Sequence, residues 1–356
     1  MGKKATLYLI HNLMILISVV LLLMALGGWR AAYVDPADCS LFPFLGLALP
    51  VVLILNLLLL LYWTIRLKAW LLAPLVALVV NVGYITAMYR LPFGRGEAAS
   101  ADLTVGTYNV HGFSLGEYRR VMGQVAGLFS EEGADVVCLQ EFRLVNRYTM
   151  DSVARVFDYL PYQVFKGTDI ALLSKYPVLA SGLVPFPNTG NSAVWADLSV
   201  DGSRVRVLGV HMQTTGVAPV RTALSRERSD GDLSGGKQAV IRLRDNLRDN
   251  ARIRAQQALK LRRLIDTTTI PLIVCGDFND TPASFTYRTL KGGLTDGFKA
   301  CGSGYGTTFR GFRDMLRIDY IFYSDDFEGV RYDVSKVALS DHRPVILYAN
   351  LRPAGR

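Results

Sequence analysis

The hydrophobic pattern changes character about a quarter of the way along the chain. Up to Tyr89 it holds three uncharged apolar runs. The first reads LMILISVVLLLMALGG from Leu13 to Gly28 and extends back to Leu7; the second covers Leu41 to Ile65 and the third Ala69 to Tyr89. Each meets the roughly 20 residues an α-helix needs to cross hydrocarbon. The pattern therefore predicts a membrane anchor over residues 1–91 with three transmembrane helices, about 7–29, 41–65 and 69–89. Lys3 and Lys4 would also fit the charged end of a signal peptide. No clean small-x-small site follows, however, and two more spans come next.

Beyond the anchor the periodicity is that of a soluble α/β domain. PFGRGEAASA (92–101) reads as a linker, and a catalytic-sized domain is expected over 102–351. LTVGTYNV, ADVVCLQE, DIALLSKYP, AVWADLSV, RVRVLGVHM, PLIVCGDF, RIDYIFYS and RPVILYANL are short apolar runs that read as strands. Tyr118 to Glu132 has a helical pattern, and a longer helix is expected from about Lys237 to Asp266. Leu247, Ala251, Ala255, Ala258, Leu261 and Ile265 recur along it at three- and four-residue spacing, which marks its buried stripe. Many strands with few long helices is an α/β (α+β) signature.

Charge adds two things. In the short loops Lys3, Lys4, Arg66 and Lys68 lie on one side, while Arg30 is opposed by Asp35 and Asp38 on the other. The positive-inside rule then expects a cytoplasmic N-terminus, with everything after Tyr89 on the outer face. The chain carries +9 overall, and from Val217 to Arg263 there are 12 Lys/Arg against 5 Asp/Glu, a surplus of 7. Such a stretch is either a solvated helix face or a surface for polyanions or anionic headgroups. The four cysteines lack metal-ligand spacing. Cys138 and Cys275, in apolar runs, read as buried small hydrophobes.

Chemistry concentrates at the strand ends. Asn109 in TYNVHG, Glu141 in LQEF, His211 in GVHMQ, Asp277 and Asn279 in CGDFND, Asp319 in RIDYIF, and Asp341 with His342 in SDHRPV each flank or interrupt an apolar run. Alone, each is explained by a turn, a cap or a satisfied core histidine. Cleaving a phosphate ester needs charge neutralised on the non-bridging oxygens, an in-line water and help for the leaving alkoxide. A hard cation with oxygen ligands answers the first and third needs, and Mg2+ (or Mn2+) takes only one or two carboxylates, for which Glu141 is the best placed. Asp277 and Asn279, two apart, point to the same side of an extended segment. Asp319 beside His342 would fix the tautomer of the imidazole.

In this order, TYNVHG … LQE … ALLSKYP … GVHMQ … CGDFNDTP … RIDYIF … SDHRPV resembles the endonuclease/exonuclease/phosphatase superfamily, the deoxyribonuclease-I-like phosphoesterases, over residues 102–351. The resemblance implies a four-layer αββα sandwich of two mostly antiparallel sheets, with the active site across one end. It implies Glu141 and Asn109 at the metal, with Asp341 as a further metal-site carboxylate. It also implies His211, Asp277, Asn279, Asp319 and His342 as the catalytic set. Some members carry an acid two positions after the first-strand Asn; here that position is His111, which reads as a local structural residue, as do His11 and Asp280. GSGYGTTFRGF (302–312) is expected beside the site, with Arg310 as a phosphate contact.

The expectation is an integral, membrane-anchored, Mg2+-dependent phosphoesterase, in the inner (plasma) membrane of a bacterium. It would hydrolyse phosphate esters, phosphodiesters first, with a phospholipid or inositol-phosphate phosphoesterase as the alternative to a nuclease acting on nucleic acid. A non-catalytic membrane scaffold is the alternative of another class.

Overall fold

The computed structural model describes residues 3–92, 101–144, 150–166, 169–215 and 233–352. Most of the expected linker, from 93 to 100, and most of the polar loop before the long helix lie outside them. The chain forms two compact units that are not contiguous in sequence: Met1–Thr86 with Gly216–Ala255 and Thr281–Arg288, and the remainder.

The first unit is built on α1 (Lys3–Ala31), α2 (Leu41–Ile65), α3 (Leu72–Val80) and α4 (Val82–Met88). Of these, α1 and α2 are long and apolar enough to cross a membrane. The third expected span is not a single helix. It breaks at Asn81, and its two parts meet at a bend of 58°. Asn81 leaves helical geometry (φ −96°, ψ 13°). Its amide donates to the carbonyls of Ala77 (2.9 Å) and, in α1, Ala25 (3.1 Å), and Gly83 follows with low helix propensity. The break thus coincides with a buried side chain whose amide nitrogen bonds two carbonyls, while its Oδ1 finds no partner among the described residues. Close approach of α1 and α2 depends on small residues, since a methyl at Gly27 or Gly28 would collide with Leu45 or Leu49. Trp63, fully buried, donates to Ser18 Oγ at 2.8 Å, and His11 packs edge-on against its ring.

The second unit contains two six-stranded sheets. In chain order its strands begin with β1 (Tyr89–Arg90), β2 (Leu103–Asn109), β3 (Val136–Gln140), β4 (Tyr162–Phe165), β5 (Ile170–Ser174), β6 (Val178–Pro185) and β7 (Ser192–Val200). They continue with β8 (Ser203–His211), β9 (Leu272–Asp277), β10 (Thr295–Asp296), β11 (Gly304–Tyr305), β12 (Asp319–Tyr323), β13 (Phe327–Val334) and β14 (Val345–Leu351). One sheet runs β10-β12-β9-β8-β7-β6 and the other β13-β14-β2-β3-β5-β4, while β1 pairs with β11. The pairing is antiparallel except for β2–β3 and β8–β9. Those parallel pairs need long crossovers, and helices α5 (Tyr118–Glu131) and α7 (Leu233–Asp266) lie in them. Between them in sequence comes the short α6 (Met150–Val156).

The alternation of side chains explains why the strands are apolar throughout. Val136 and Cys138 of β3 face the core between the sheets, with Val194, Val207, Ile273, Cys275, Ile321 and Val345. Val137 and Leu139 face the other way, against Val121, Met122, Val125 and Phe129 of α5. Both faces are covered, so no polar stripe is needed. The stripe expected on the long helix is realised: Ala251, Ala255, Ala258, Leu261 and Ile265 are buried, and only Leu247 is partly open. A buried ion pair holds the β10–β12 edge, where Arg317 grips Asp296 with two bonds of 2.8 and 2.6 Å, and the carboxylate draws the guanidinium's charge into the interior despite the cost of burial.

Candidate active site

Strand register places the polar residues before any side-chain contact is considered. In one sheet Asp277, the last residue of β9, is paired with both His211, the end of β8, and Asp319, the start of β12. In the other, Asn109 ends β2 opposite Gln140, immediately before Glu141. His342 stands three residues before β14, whose Val345 pairs with Thr107 of β2. Two sheets therefore contribute their polar ends to one edge of the sandwich.

The side chains then converge on Asp277. Its Oδ2 accepts from Asn109 Nδ2 (2.9 Å) and Asn279 Nδ2 (3.1 Å), and its Oδ1 accepts from the Asn279 backbone N–H (2.8 Å). Two imidazoles flank it, with His342 Nε2 at 3.7 Å and His211 Nε2 at 3.9 Å from Oδ2. Each imidazole is held from behind. Asp319 Oδ2 lies 2.9 Å from His342 Nδ1, and Asp169 Oδ2 is bonded to His211 Nδ1. Asn279 also donates to the Met212 carbonyl at 3.0 Å. All of Asn109, His211, Asp277, Asn279, Asp319 and His342 are buried.

Around this floor runs an open rim. Glu141, His111 and Asp341 keep 29%, 43% and 41% of their side chains exposed, enough for a ligand to reach them. Asn109 ties rim to floor, because the same Nδ2 donates to Glu141 Oε1 at 3.1 Å, while its Oδ1 accepts the His111 N–H at 3.0 Å. The site also stores backbone strain. Glu141, Asn279 and His111 have φ of 52°, 53° and 47°, a left-handed conformation uncommon for residues other than glycine. Gly276 (φ 138°) sits so close to β8 that a methyl there would collide with the Val210 carbonyl.

Burial governs the electrostatics. It lifts the Asp277 carboxyl to about 6, with Asp319 adding to the rise and His342 and His211 opposing it. At His342 burial disfavours the charged form, but the Asp319 and Asp277 carboxylates together outweigh it and hold the imidazole at about 10. His211 is likewise raised: burial pulls down, and the bond to Asp169 and the Asp277 charge prevail. An acid near neutrality beside a strongly basic imidazole is the disposition proton transfer needs.

Five carboxylates (Glu141, Asp169, Asp277, Asp319 and Asp341) surround a place expected to receive phosphate. Such a donor set fits a hard divalent cation. Asp277, Asp319 and His342 could together hold one, their ligand atoms lying within 4.8 Å of one another. The oxygens of Asp277 already accept three bonds and Asp319 already faces His342, whereas Glu141 and Asp341 are open at the rim.

Arg310 lies on the expected loop, but its guanidinium donates to the Lys336 and Val337 carbonyls at 2.9 Å, and its backbone N–H donates to Asp341 O. That side chain braces the segment carrying Asp341 and His342. Asp280 accepts from the Tyr320 hydroxyl through its carbonyl. Asp169, Asn191 and Phe309, which the motifs of the sequence do not single out, also reach the site. Asp169 stands at the head of DIALLS, where a turn residue is the ordinary reading. Asn191 Nδ2 approaches the His211 ring at 3.2 Å, and Phe309 packs against the His342 ring at 5.1 Å between centroids. Only Asp169 gave a signal, as an acid before a fully apolar strand.

Residues 106–342 match the Endonuclease/Exonuclease/phosphatase family. The chain belongs to that family. Family membership makes it a hydrolase of phosphate esters, of a metal-dependent kind. Residues 11–88 match a second family, described as a domain of unknown function. Among solved structures, the endonuclease/exonuclease/phosphatase from Beutenbergia cavernae is 20% identical at a TM-score of 0.51, covering 71% of this chain and 72% of its own. A family protein from Bacteroides thetaiotaomicron is 18% identical at a TM-score of 0.50, covering 69% and 97%. These likenesses concern the fold. No curated protein matches the chain.

Proposed function

We propose that this family member is a membrane-anchored phosphoesterase that hydrolyses phosphodiesters by in-line attack of water and depends on a divalent cation, Mg2+ or Mn2+. The observation that supports it most is Asp277, buried between two imidazoles that are each backed by a carboxylate. Asp277 would orient the attacking water and take its proton, which a carboxyl lifted to about 6 can do near neutral pH. Asn279 would hold a non-bridging oxygen. Protonated His342 would stabilise charge on the phosphate or give a proton to the leaving oxygen, and His211 would bond a second phosphate oxygen. Glu141 and Asp341 would hold the cation, with Asn109 orienting Glu141. Once bound, the cation supplies charge neutralisation on the phosphate and leaving oxygens.

The two long apolar helices support anchoring, and the loop charges support a cytoplasmic N-terminus with the catalytic part on the outer face of a bacterial inner membrane. The test is the full chain, purified in detergent, with bis-nitrophenyl phosphate and Mg2+ or Mn2+. Metal-dependent release that disappears in Asp277→Ala and His342→Ala is expected. No release, or release unchanged in both variants, would leave a non-catalytic scaffold as the better reading. Plasmid DNA, sphingomyelin vesicles and inositol phosphates, compared in one panel, choose the substrate class. A reporter active only outside the cytoplasm, fused after Arg356, tests the orientation.

A further inference from the structure

The chain passes from the catalytic corner to the anchor within two residues. Asp277 and Asn279 are followed by Asp280, and Thr281–Arg288 belong to the same compact unit as α1 and α2. Within that unit the segment is seated against one end of the helix pair. A methyl at Gly46 would lie 3.3 Å from the Ala283 carbonyl and 3.3 Å from Ala31 Cβ, so Ala283 fills a notch between the end of α1 and the second turn of α2. The Arg288 guanidinium stands 3.9 Å from the centroid of the Tyr33 ring, and Arg252 Nε reaches the Pro36 carbonyl at 3.4 Å. Tyr33 and Pro36 lie in the loop between the two helices.

Chain length converts these contacts into a depth. The 25 residues of α2 span about 38 Å, against about 30 Å of hydrocarbon, so Gly46 lies close to the boundary with the headgroups. Asn279 and Ala283 are four residues apart, and an extended chain advances at most about 3.6 Å per residue. Asn279 therefore stays within about 14 Å of Ala283 however the corner moves. The headgroup layer is itself about 5 to 8 Å thick. A phosphate held at the corner is thereby kept within reach of the depth at which lipid phosphates stand.

The rim carries a second, separate sign. Leu115, four residues after His111, is 56% exposed, and Phe312, three after Phe309, is 42% exposed. Phe309 packs on the His342 ring, and the N–H of the next residue donates to Asp341 O. Each of the two loops that carry or brace rim residues thus exposes a large apolar side chain. A single such side chain on a surface is ordinary. One on each loop beside the same polar floor matches a ligand with both a phosphate and a hydrocarbon part.

We infer that the phosphate ester cleaved at this site belongs to a membrane lipid, whose phosphate meets Asp277 and Asn279 at headgroup depth and whose apolar part contacts Leu115 and Phe312. This rests on the phosphoesterase and anchoring readings above and deepens them by naming the substrate class. The water oxygen bonds to phosphorus, one ester P–O bond breaks and the leaving oxygen takes the proton, so a lipid diester yields a phosphomonoester and an alcohol.

The experiment gives the full chain, purified in detergent and supplied with Mg2+ or Mn2+, mixed micelles of a total bacterial phospholipid extract, and follows the lipid phosphodiesters by 31P nuclear magnetic resonance. The same extract stripped of its acyl chains, plasmid DNA and bis-nitrophenyl phosphate run in parallel. The lipid diesters are expected to be consumed with a kcat/KM about a hundredfold or more above that of their deacylated counterparts. Leu115→Ser and Phe312→Ser, at exposed positions, are expected to lower lipid turnover about tenfold more than turnover of bis-nitrophenyl phosphate. Deacylated diesters or DNA cleaved as fast as the lipids overturn the inference. Release from bis-nitrophenyl phosphate with the lipids left intact overturns it as well, and leaves the phosphoesterase reading standing. No turnover of any substrate overturns both. Equal losses on lipid and on bis-nitrophenyl phosphate in the serine variants overturn the apolar contact assigned to Leu115 and Phe312.

Discussion

Asp277 has a histidine on each side, and the two are built alike but supported differently. In both, Nδ1 faces a carboxylate and Nε2 faces Asp277 Oδ2, at 3.7 Å for His342 and 3.9 Å for His211. The carboxylate behind His342 is Asp319, a strand residue held in register with Asp277 itself. The one behind His211 is Asp169, which comes from the other sheet at the start of β5. Phe309 packs on the His342 ring, whereas Asn191 presents an amide to His211. His342 consequently keeps its proton far above neutrality, a cation held beside the acid that accepts one. His211, bridging the sheets and shared with an amide, is better suited to hold an oxygen in place. Similar pairs of residues thus acquire different duties from what stands behind and above them.

That contrast can be broken by mutation. Asp277→Ala and His342→Ala are expected to cost the most, on the order of a thousandfold in kcat/KM for a phosphodiester. His211→Ala is expected to cost about tenfold less than His342→Ala, and the reverse order would exchange the two roles. The next level concerns the carboxylates behind the rings. Asp319→Asn is expected to lower kcat by about a hundredfold and Asp169→Asn by about tenfold, because Asp319 supports the ring assigned to proton transfer, whereas Asp169 supports the ring assigned to holding an oxygen. Equal losses would remove the distinction.

A third prediction contrasts floor and rim. Glu141→Gln is expected to raise the metal concentration needed for half-maximal activity by about tenfold or more, with thermal stability little changed since the side chain is partly exposed. Unchanged metal dependence would move the cation to the buried floor.

The smallest effect lies away from the site and tests whether paired carboxylates elsewhere carry only stability. Burial works against the charge on Asp197, but its bonds to Arg206 and Arg204 prevail and hold the carboxyl below the ordinary carboxylate range. A depressed folded value means the stabilisation is present above the unfolded value and is lost as pH falls through the folded one. Asp197→Asn is therefore expected to cost about 2 kcal/mol in denaturant unfolding near pH 7, with the gap to wild type closing below the ordinary carboxylate range. It should leave kcat unaltered. A gap independent of pH would show that the loss is one of packing.

Residue order alone was enough to identify the family and eight strands, β2, β3, β5, β7, β8, β9, β12 and β14, with the polar residues at their ends, because those depend on local pattern. Apolar runs such as VVCLQ and LIVCGD specify strands buried on both faces, and an acid or amide at their end has nowhere to go but the rim of the sandwich. The long helix and its stripe of Ala251, Ala255, Ala258, Leu261 and Ile265 were legible for the same reason. The break at Asn81 was not legible, since it depends on a carbonyl 56 residues away. Nor was Asp169, whose value comes from lying across the sheets from His211. Nor were the bonds from Arg310 Nη2 to the Lys336 and Val337 carbonyls, which tie its loop to the segment before His342. Sequence determines what each segment can be and which chemistry it carries. Only the tertiary structure decides which groups meet, because hydrogen bonds, burial and their effects on protonation act over a few ångströms between residues that the chain keeps far apart.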